Sequence, residues 1–353
     1  MTIKVLIVDD SALVRKIFED NLSKVSGIEV VGTAQDPFVA RDKIIKLKPD
    51  VLTLDVEMPR MDGIEFLKRL MMSQPIPVII VSSLTHKAGQ ITLDALSAGA
   101  IDYITKPGSN LNSNLNSIMT ELVQKIKIAA TVDISKYVKR EHKKTVANQA
   151  ASLKTKSLLI NTTDKVIAMG ASTGGTEAIA TILEQLPPNL PGIVITQHMP
   201  PKFTKDFAAR LNRDSALEIK EGQSGMRIMD GCAFIAPGGF HMRVKRSGGN
   251  YIIDVKEGDL VNGHAPSVDV LFDSVAQHVG KNALGVILTG MGKDGAKGLL
   301  NMRNAGAHTI GQNEATSVVY GMPKVAYELK AVAKQMNLDD IAGSIQISFK
   351  QLK

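Results

Sequence analysis

Ser172 stands in the run Gly170-Ala171-Ser172-Thr173-Gly174-Gly175, after the buried-strand pattern Val166-Ile167-Ala168-Met169 and before a helical stretch. A hydroxyl on a glycine-lined turn suits a nucleophile, because glycine tolerates strained dihedrals and lets a substrate approach the backbone closely. The helix start behind it offers unpaired N–H groups to negative charge, so the same turn also suits a phosphate cradle. Cleavage of an alkyl ester would need, besides the nucleophile, a base, a group that orients the base, and donors for the developing oxyanion. His198, in Thr196-Gln197-His198-Met199-Pro200, and Asp294, in Thr289-Gly290-Met291-Gly292-Lys293-Asp294-Gly295, each follow a strand pattern. Residues at such strand ends can meet on one sheet edge.

Other residues compete for these roles. His241 and His264 are alternative bases, and His198 could instead cap a helix beginning near Lys202. Ser267 and Asp269, in Pro266-Ser267-Val268-Asp269, read as a helix cap. Gly170-x-Ser172-x-Gly174 satisfies the nucleophile-elbow pattern, but α/β-hydrolases place the acid before the histidine, and here 198 precedes 294. Gly290-x-Gly292-x-x-Gly295, with Glu314 downstream, satisfies a dinucleotide fingerprint, although it falls on a late strand where that fingerprint normally opens the fold.

A second constellation lies in the first third of the chain. Asp9 and Asp10 follow the first strand pattern and Asp55 the third, so three carboxylates converge on one edge of a doubly wound sheet. Around a magnesium ion they become oxygen ligands, and the ion can neutralise an incoming phosphate. Ser82 after the fourth strand supplies a hydroxyl, Lys106 after the fifth a fixed positive charge, and Pro107 a constrained turn.

The elements that position both sets are α/β alternations. Val5–Val8, Glu29–Ala34, Val51–Leu54, Val78–Val81 and Ile101–Ile104 read as strands between helical patterns, which predicts a parallel sheet with helices on both faces. A second alternation has strands at Val166–Met169, Ile193–Thr196, Leu284–Leu288 and His308–Gly311. Helices over Pro266–Val279 and Lys324–Lys334 would cover it. Leu217–Val255 interrupts it as a β-hairpin region turning at Ser247-Gly248-Gly249-Asn250. The expected fold class is therefore α/β with two doubly wound domains, at 1–125 and 164–353, joined by a basic flexible linker over 126–163.

At 353 residues the chain exceeds the size at which one core keeps growing, which also favours two domains. The net charge of +7 is local. Residues 1–125 carry 14 basic against 15 acidic side chains, 126–164 carry 8 against 3, and the remainder 20 against 17. The excess in the linker, with only Tyr137 near its lysines and no compact helix-turn-helix after it, argues against nucleic acid as a partner. The single cysteine, Cys232, excludes an intramolecular disulfide and a cysteine-rich zinc site. No apolar run approaches the roughly 20 residues that span a bilayer, so direct membrane insertion is not expected. A reducing, cytoplasmic setting fits best.

Two resemblances unite these readings. Val5–Ser11, Leu54-Asp55-Val56-Glu57-Met58-Pro59 with Asp62-Gly63, Val81-Ser82-Ser83 and Tyr103-Ile104-Thr105-Lys106-Pro107 resemble response-regulator receiver domains, which have a flavodoxin-like fold. The resemblance implies phosphorylation of Asp55 by a chemotaxis histidine kinase. It also implies Mg2+ held by Asp9, Asp10 and Asp55, phosphoryl contacts from Ser82 and Lys106, and Tyr103 as an aromatic switch.

Gly170–Glu177, Gln197–Pro200, Phe203-Thr204 with Phe207–Leu211, Ala236–Gly239, Pro266–Asp269 and Leu288–Gly292 with Asp294–Ala296 resemble the protein-glutamate methylesterases of bacterial chemotaxis. That family implies Ser172 as nucleophile, His198 as base, Asp294 as orienting acid, and Met291 N–H and Thr173 at the oxyanion. Its substrates would be methylated chemoreceptors, with receptor glutamine deamidation as a related reaction. Ester hydrolysis would need no cofactor, and the unphosphorylated receiver would pack over the esterase cleft. Ala265 stands where the resemblance leads one to expect arginine.

Overall fold

The computed structural model describes residues 2–58, 62–83, 85–106, 111–134 and 164–350. The chain divides into two units, Met1–Ser152 and Leu153–Lys353, whose boundary falls outside the described residues. Pro59, Pro107, Tyr137 and the linker's basic cluster also lie outside them.

The first unit is a five-stranded parallel sheet of order β2-β1-β3-β4-β5, formed by β1 (Ile3–Val8), β2 (Ile28–Ala34), β3 (Val51–Asp55), β4 (Val78–Ser82) and β5 (Asp102–Thr105). Strands β3 and β4 are buried along their whole length, and the run Val78–Val81 of β4 is correspondingly apolar at every position rather than alternating. Helices α1 (Ala12–Leu22), α2 (Pro37–Leu47), α3 (Gly63–Ser73), α4 (His86–Ser97) and α5 (Leu111–Ala129) connect and cover the strands. Ser11, Asp36, Asp62 and Thr85 cap the first four through their side chains. The expected boundary at 125 is too early: α5 continues to Ala129, and Ile126, Ala129 and Ile134 are buried.

The second unit is a seven-stranded sheet of order β14-β13-β12-β6-β7-β9-β8, every pairing parallel. Its strands are β6 (Val166–Ala171), β7 (Gly192–Gln197), β8 (Glu218–Glu221), β9 (Cys232–Ile235), β12 (Ala283–Ile287), β13 (His308–Gln312) and β14 (Lys334–Met336). A separate antiparallel hairpin, β10 (His241–Ser247) and β11 (Asn250–Lys256), turns at Gly248-Gly249 as its sequence predicts. Helices α6 (Gly175–Leu183), α7 (Phe203–Asp214), α8 (Val268–His278), α9 (Ala296–Asn304), α10 (Met322–Glu328) and α11 (Leu338–Lys350) complete it.

The region read wholly as hairpin in fact contributes β8 and β9 to the parallel sheet before the hairpin begins. Those strands have only four residues each, too short for a distinct pattern. The helix expected over Lys324–Lys334 instead spans Met322–Glu328. Lys330 takes a left-handed φ of 58°, after which the chain enters β14. Met242, Val244, Tyr251 and Ile253 of the hairpin join Leu271, Phe272 and Val275 of α8 in the core of this unit.

Candidate active site and phosphoacceptor pocket

In the second sheet the strand order reverses about β6, with β7 on one side and β12 on the other. Ligands in open α/β sheets bind beyond the carboxyl ends of strands at such a switch point. Ser172 directly follows β6, His198 directly follows β7, and Asp294 lies in the loop between β12 and α9.

These three side chains form one hydrogen-bonded chain. Ser172 Oγ lies 3.1 Å from His198 Nδ1, and His198 Nε2 lies 2.8 Å from Asp294 Oδ2. With the imidazole proton on Nε2 donated to the carboxylate, Nδ1 is free to accept the serine proton. Asp294 is also held at the amino end of α8: Oδ2 accepts from Val268 N at 2.6 Å, and Oδ1 from Ser267 Oγ at 2.8 Å and Asn262 Nδ2 at 2.7 Å. Burial alone would raise its pKa, but His198 and the other donors outweigh it and hold the carboxyl far below the usual carboxylate range. Ser267 both caps α8 and donates to the acid, so a residue read from sequence as a cap has two tasks.

The glycines around Ser172 are filled by the protein itself rather than left open to substrate. A Cβ on Gly170 would meet Val268 Cγ1 at 2.1 Å, one on Gly174 would meet Val318 at 2.6 Å, and one on Gly175 would meet Gln197 Oε1 at 2.2 Å. Gly174 has φ 74°, so the turn also needs its left-handed freedom. Gln197, quoted above only as a neighbour of His198, is buried, and its Nε2 donates to the carbonyls of Ser172 and His198 at 3.0 and 3.2 Å. One side chain thus fixes the turns of Ser172 and His198 together.

The competing readings separate on geometry. His241 accepts from Ser267 N at Nδ1 (3.3 Å) and donates from Nε2 to Asp259 O (2.9 Å), so both ring nitrogens are committed to backbone. His264 stacks on His198, with ring centroids 3.6 Å apart and planes 16° from parallel. The helix after His198 takes Lys202 as its cap residue, without a side-chain capping bond. Gly290 does not open a dinucleotide cradle: a Cβ there would meet Met322 Sδ at 2.3 Å and Ser172 Cβ at 2.8 Å, and its carbonyl accepts from Gly321 and Met322 N. Glu314 is exposed. Thr173 is buried beside Ser172, its carbonyl accepting from Thr289 Oγ1 at 3.0 Å, while Met291 sits half-buried in the loop that carries Asp294. Ala265 contributes its carbonyl, which accepts from Gly239 N at 3.0 Å.

In the first unit Asp9, Asp10 and Asp55 place ligand oxygens within 4.8 Å of one another. Asp55 is fully buried at the end of β3, and Lys106 Nζ lies 2.6 Å from its Oδ2 and 3.2 Å from Asp9 Oδ2. Burial pushes the Asp55 carboxyl up to about 6 despite the hydrogen bond from Lys106, and the Asp9 charge adds to the rise. Asp9 and Asp55 are buried carboxylates that share Lys106 as counter-charge, with Asp10 beside them, so a hard cation fits this oxygen donor set. Gly63 lets α3 press on the Asp55 backbone, since a Cβ there would meet Asp55 O at 2.7 Å. Ser82 Oγ is occupied by Thr92 Oγ1 at 2.7 Å, and Tyr103 is buried beneath Lys125 Nζ, 5.1 Å from its ring centre.

An acidic pocket carrying a lysine on one sheet and a Ser–His–Asp chain on another are the marks of a response regulator whose effector half is a hydrolase. Residues 167–345 match the family model described as CheB methylesterase, and residues 5–116 that of the response regulator receiver domain. The chain is 55% identical over 343 residues to the protein-glutamate methylesterase/protein-glutamine glutaminase of Syntrophotalea carbinolica, covering 97% of this chain and 96% of that one. It is 51% identical over 340 residues to the Salmonella typhimurium enzyme of the same name, with 96% and 95% coverage. The crystal structure of the Thermotoga maritima CheB methylesterase catalytic domain superposes with TM-score 0.50 at 37% identity, covering 51% of this chain and 96% of that one. The chain belongs to the protein-glutamate methylesterase/protein-glutamine glutaminase family.

Proposed function

We propose that the chain hydrolyses γ-glutamyl methyl esters on chemoreceptors, releasing methanol, and deamidates receptor glutamines at the same site under control of its receiver. The observation that carries this reading is the hydrogen-bonded order Ser172–His198–Asp294 at the switch point. Ser172 Oγ attacks the ester carbonyl while His198 Nδ1 takes its proton. Asp294 fixes the tautomer and stabilises the imidazolium. The protonated His198 then returns that proton to the departing methanol, or to ammonia from a glutamine, leaving an acyl ester on Ser172. Water, deprotonated by His198, attacks the acyl carbonyl; the bond to Ser172 Oγ breaks, His198 returns the proton to Oγ, and the glutamate leaves. Met291 N–H and Thr173 are assigned to the oxyanion, where loss of one donor typically costs about 100- to 1000-fold.

Asp55 is the assigned phosphoacceptor, with a chemotaxis histidine kinase as donor. Asp9, Asp10 and Asp55 would hold Mg2+, which supplies charge neutralisation for the incoming phosphoryl group. Lys106 Nζ, 2.6 Å from Asp55 Oδ2, would pair with the phosphoryl group, Ser82 is the hydroxyl that reports its arrival, and Tyr103 is the aromatic partner of that switch. Among the described residues no helix is long and apolar enough to cross a membrane, and a cytoplasmic enzyme acting on receptor tails agrees with that. Fluorophosphonate labelling tests the esterase assignment: Ser172 should be the labelled residue, and labelling should stop methanol release from membranes carrying methylated receptors. Release continuing at full rate after stoichiometric labelling of Ser172 would overturn it.

A further inference from the structure

Asn262 does not appear among the residues singled out by sequence, yet it touches both carboxylates at the head of α8. Val261 and His264 exchange backbone hydrogen bonds, Val261 N to His264 O at 3.1 Å and His264 N to Val261 O at 3.0 Å. The two residues between them both have positive φ, 53° at Asn262 and 83° at Gly263. An Asn-Gly pair suits such a two-residue turn, because asparagine and glycine bear that conformation at least cost. The turn aims the Asn262 side chain inward, so that Nδ2 lies 2.7 Å from Asp294 Oδ1 and 2.7 Å from Asp269 Oδ2. Both hydrogens of one amide nitrogen are thereby used, one on each acid. The far end of the turn stacks His264 on His198.

Asp269 is not a spare acid. Its Oδ1 accepts from Gly298 N at 2.7 Å, which ties α8 to α9, and burial raises its pKa, with the charge of Asp294 adding to the rise. Two buried carboxylates this close repel unless a donor stands between them. A neutral donor with two hydrogens satisfies both without adding a charge that would compete with His198 for Asp294.

We infer that Asn262 is a positioning residue for the hydrolytic reaction: by bridging Asp269 and Asp294 it holds Asp294 aligned on His198. The inference rests on the esterase reading above. Loss of a hydrogen bond to a charged group in such a site corresponds to roughly 10- to 100-fold in rate.

The test uses the full chain, methanol release from membranes carrying methylated chemoreceptors, and two variants of an exposed position. Asn262→Gly keeps the left-handed backbone and removes only the amide. It should lower kcat at least tenfold with KM within about twofold of wild type. Asn262→Asp replaces the donor by a third acid facing Asp269 and Asp294, with Asp273 further along α8, His198 beyond Asp294, and His264 on the same turn. Its activity relative to wild type should be lowest near pH 8 and rise toward pH 6, where a shared proton restores one bond. Wild-type kcat in both variants across that range, with release lost in Ser172→Ala, overturns the inference alone. Release persisting at wild-type rate in Ser172→Ala overturns the esterase reading beneath it.

Discussion

The Ser172 amide donates to the Thr289 carbonyl at 3.0 Å, which ties the glycine-lined turn of Ser172 to the strand end that leads to Asp294. The three members of the chain therefore sit on two seams of one sheet, β6 against β12 and β6 against β7. The parallel pairing of these strands supplies their alignment, and the loops supply the side chains.

Asp294→Asn should lower kcat for methanol release by roughly 1000- to 10,000-fold. The carboxylate accepts from Asn262, Ser267, Val268 and His198, and an amide nitrogen in its place would face donors. Initial rates at saturating receptor membranes check this.

Gly290→Ala should disable the site through packing. Its Cβ would sit 2.3 Å from Met322 Sδ and 2.8 Å from Ser172 Cβ, so either the α10 start or the Ser172 turn must shift. Overpacking of this kind costs about 1–3 kcal/mol, and a displacement near 1 Å costs on the order of 100-fold in rate. Thermal unfolding and methanol release on one preparation separate the two effects.

Ser267→Ala removes a helix cap and a donor to Asp294 together. The cap alone is worth about 1 kcal/mol. Activity should fall by roughly tenfold beyond anything that stability explains. Ser267→Thr, which retains the hydroxyl, should recover most of both.

Asp55 makes the receiver's stability depend on pH. Its folded pKa, near 6, lies above its unfolded value, so the folded state binds the proton more tightly and loses stability as pH rises from about 4 through 6. Asp55→Asn, uncharged at every pH, should match wild type at pH 4 and exceed it at pH 7 by about 3 kcal/mol without added divalent cation. Calorimetry of the receiver transition at both pH values measures this. A constant difference between the two proteins would show that burial does not govern this carboxyl.

Much of this was legible in the sequence because chemistry-bearing residues sit where strand patterns stop. Asp9, Asp55, Ser82 and Lys106 in one half and Ser172 and His198 in the other stand at a strand's carboxyl end or one residue past it, and Asp294 lies in the loop that follows β12. The less legible parts depend on tertiary proximity. Strands β8 and β9 are too short to carry a period, and β14 has three residues. The glycines around Ser172 advertise room, but only the packing shows Val268, Val318 and Gln197 occupying it. Asn262 carries a local turn signal in Asn262-Gly263, while its contact with an acid 32 positions later carries none.

Methanol release from membranes bearing methylated chemoreceptors, measured with and without acetyl phosphate and Mg2+, tests the joined function most directly. Wild type should release methanol and release it faster with the phosphodonor. Ser172→Ala should release none in either condition, and Asp55→Asn should give the same rate in both. Release by Ser172→Ala at the wild-type rate, or undiminished stimulation of Asp55→Asn, would contradict the account of a serine esterase governed by phosphorylation at Asp55.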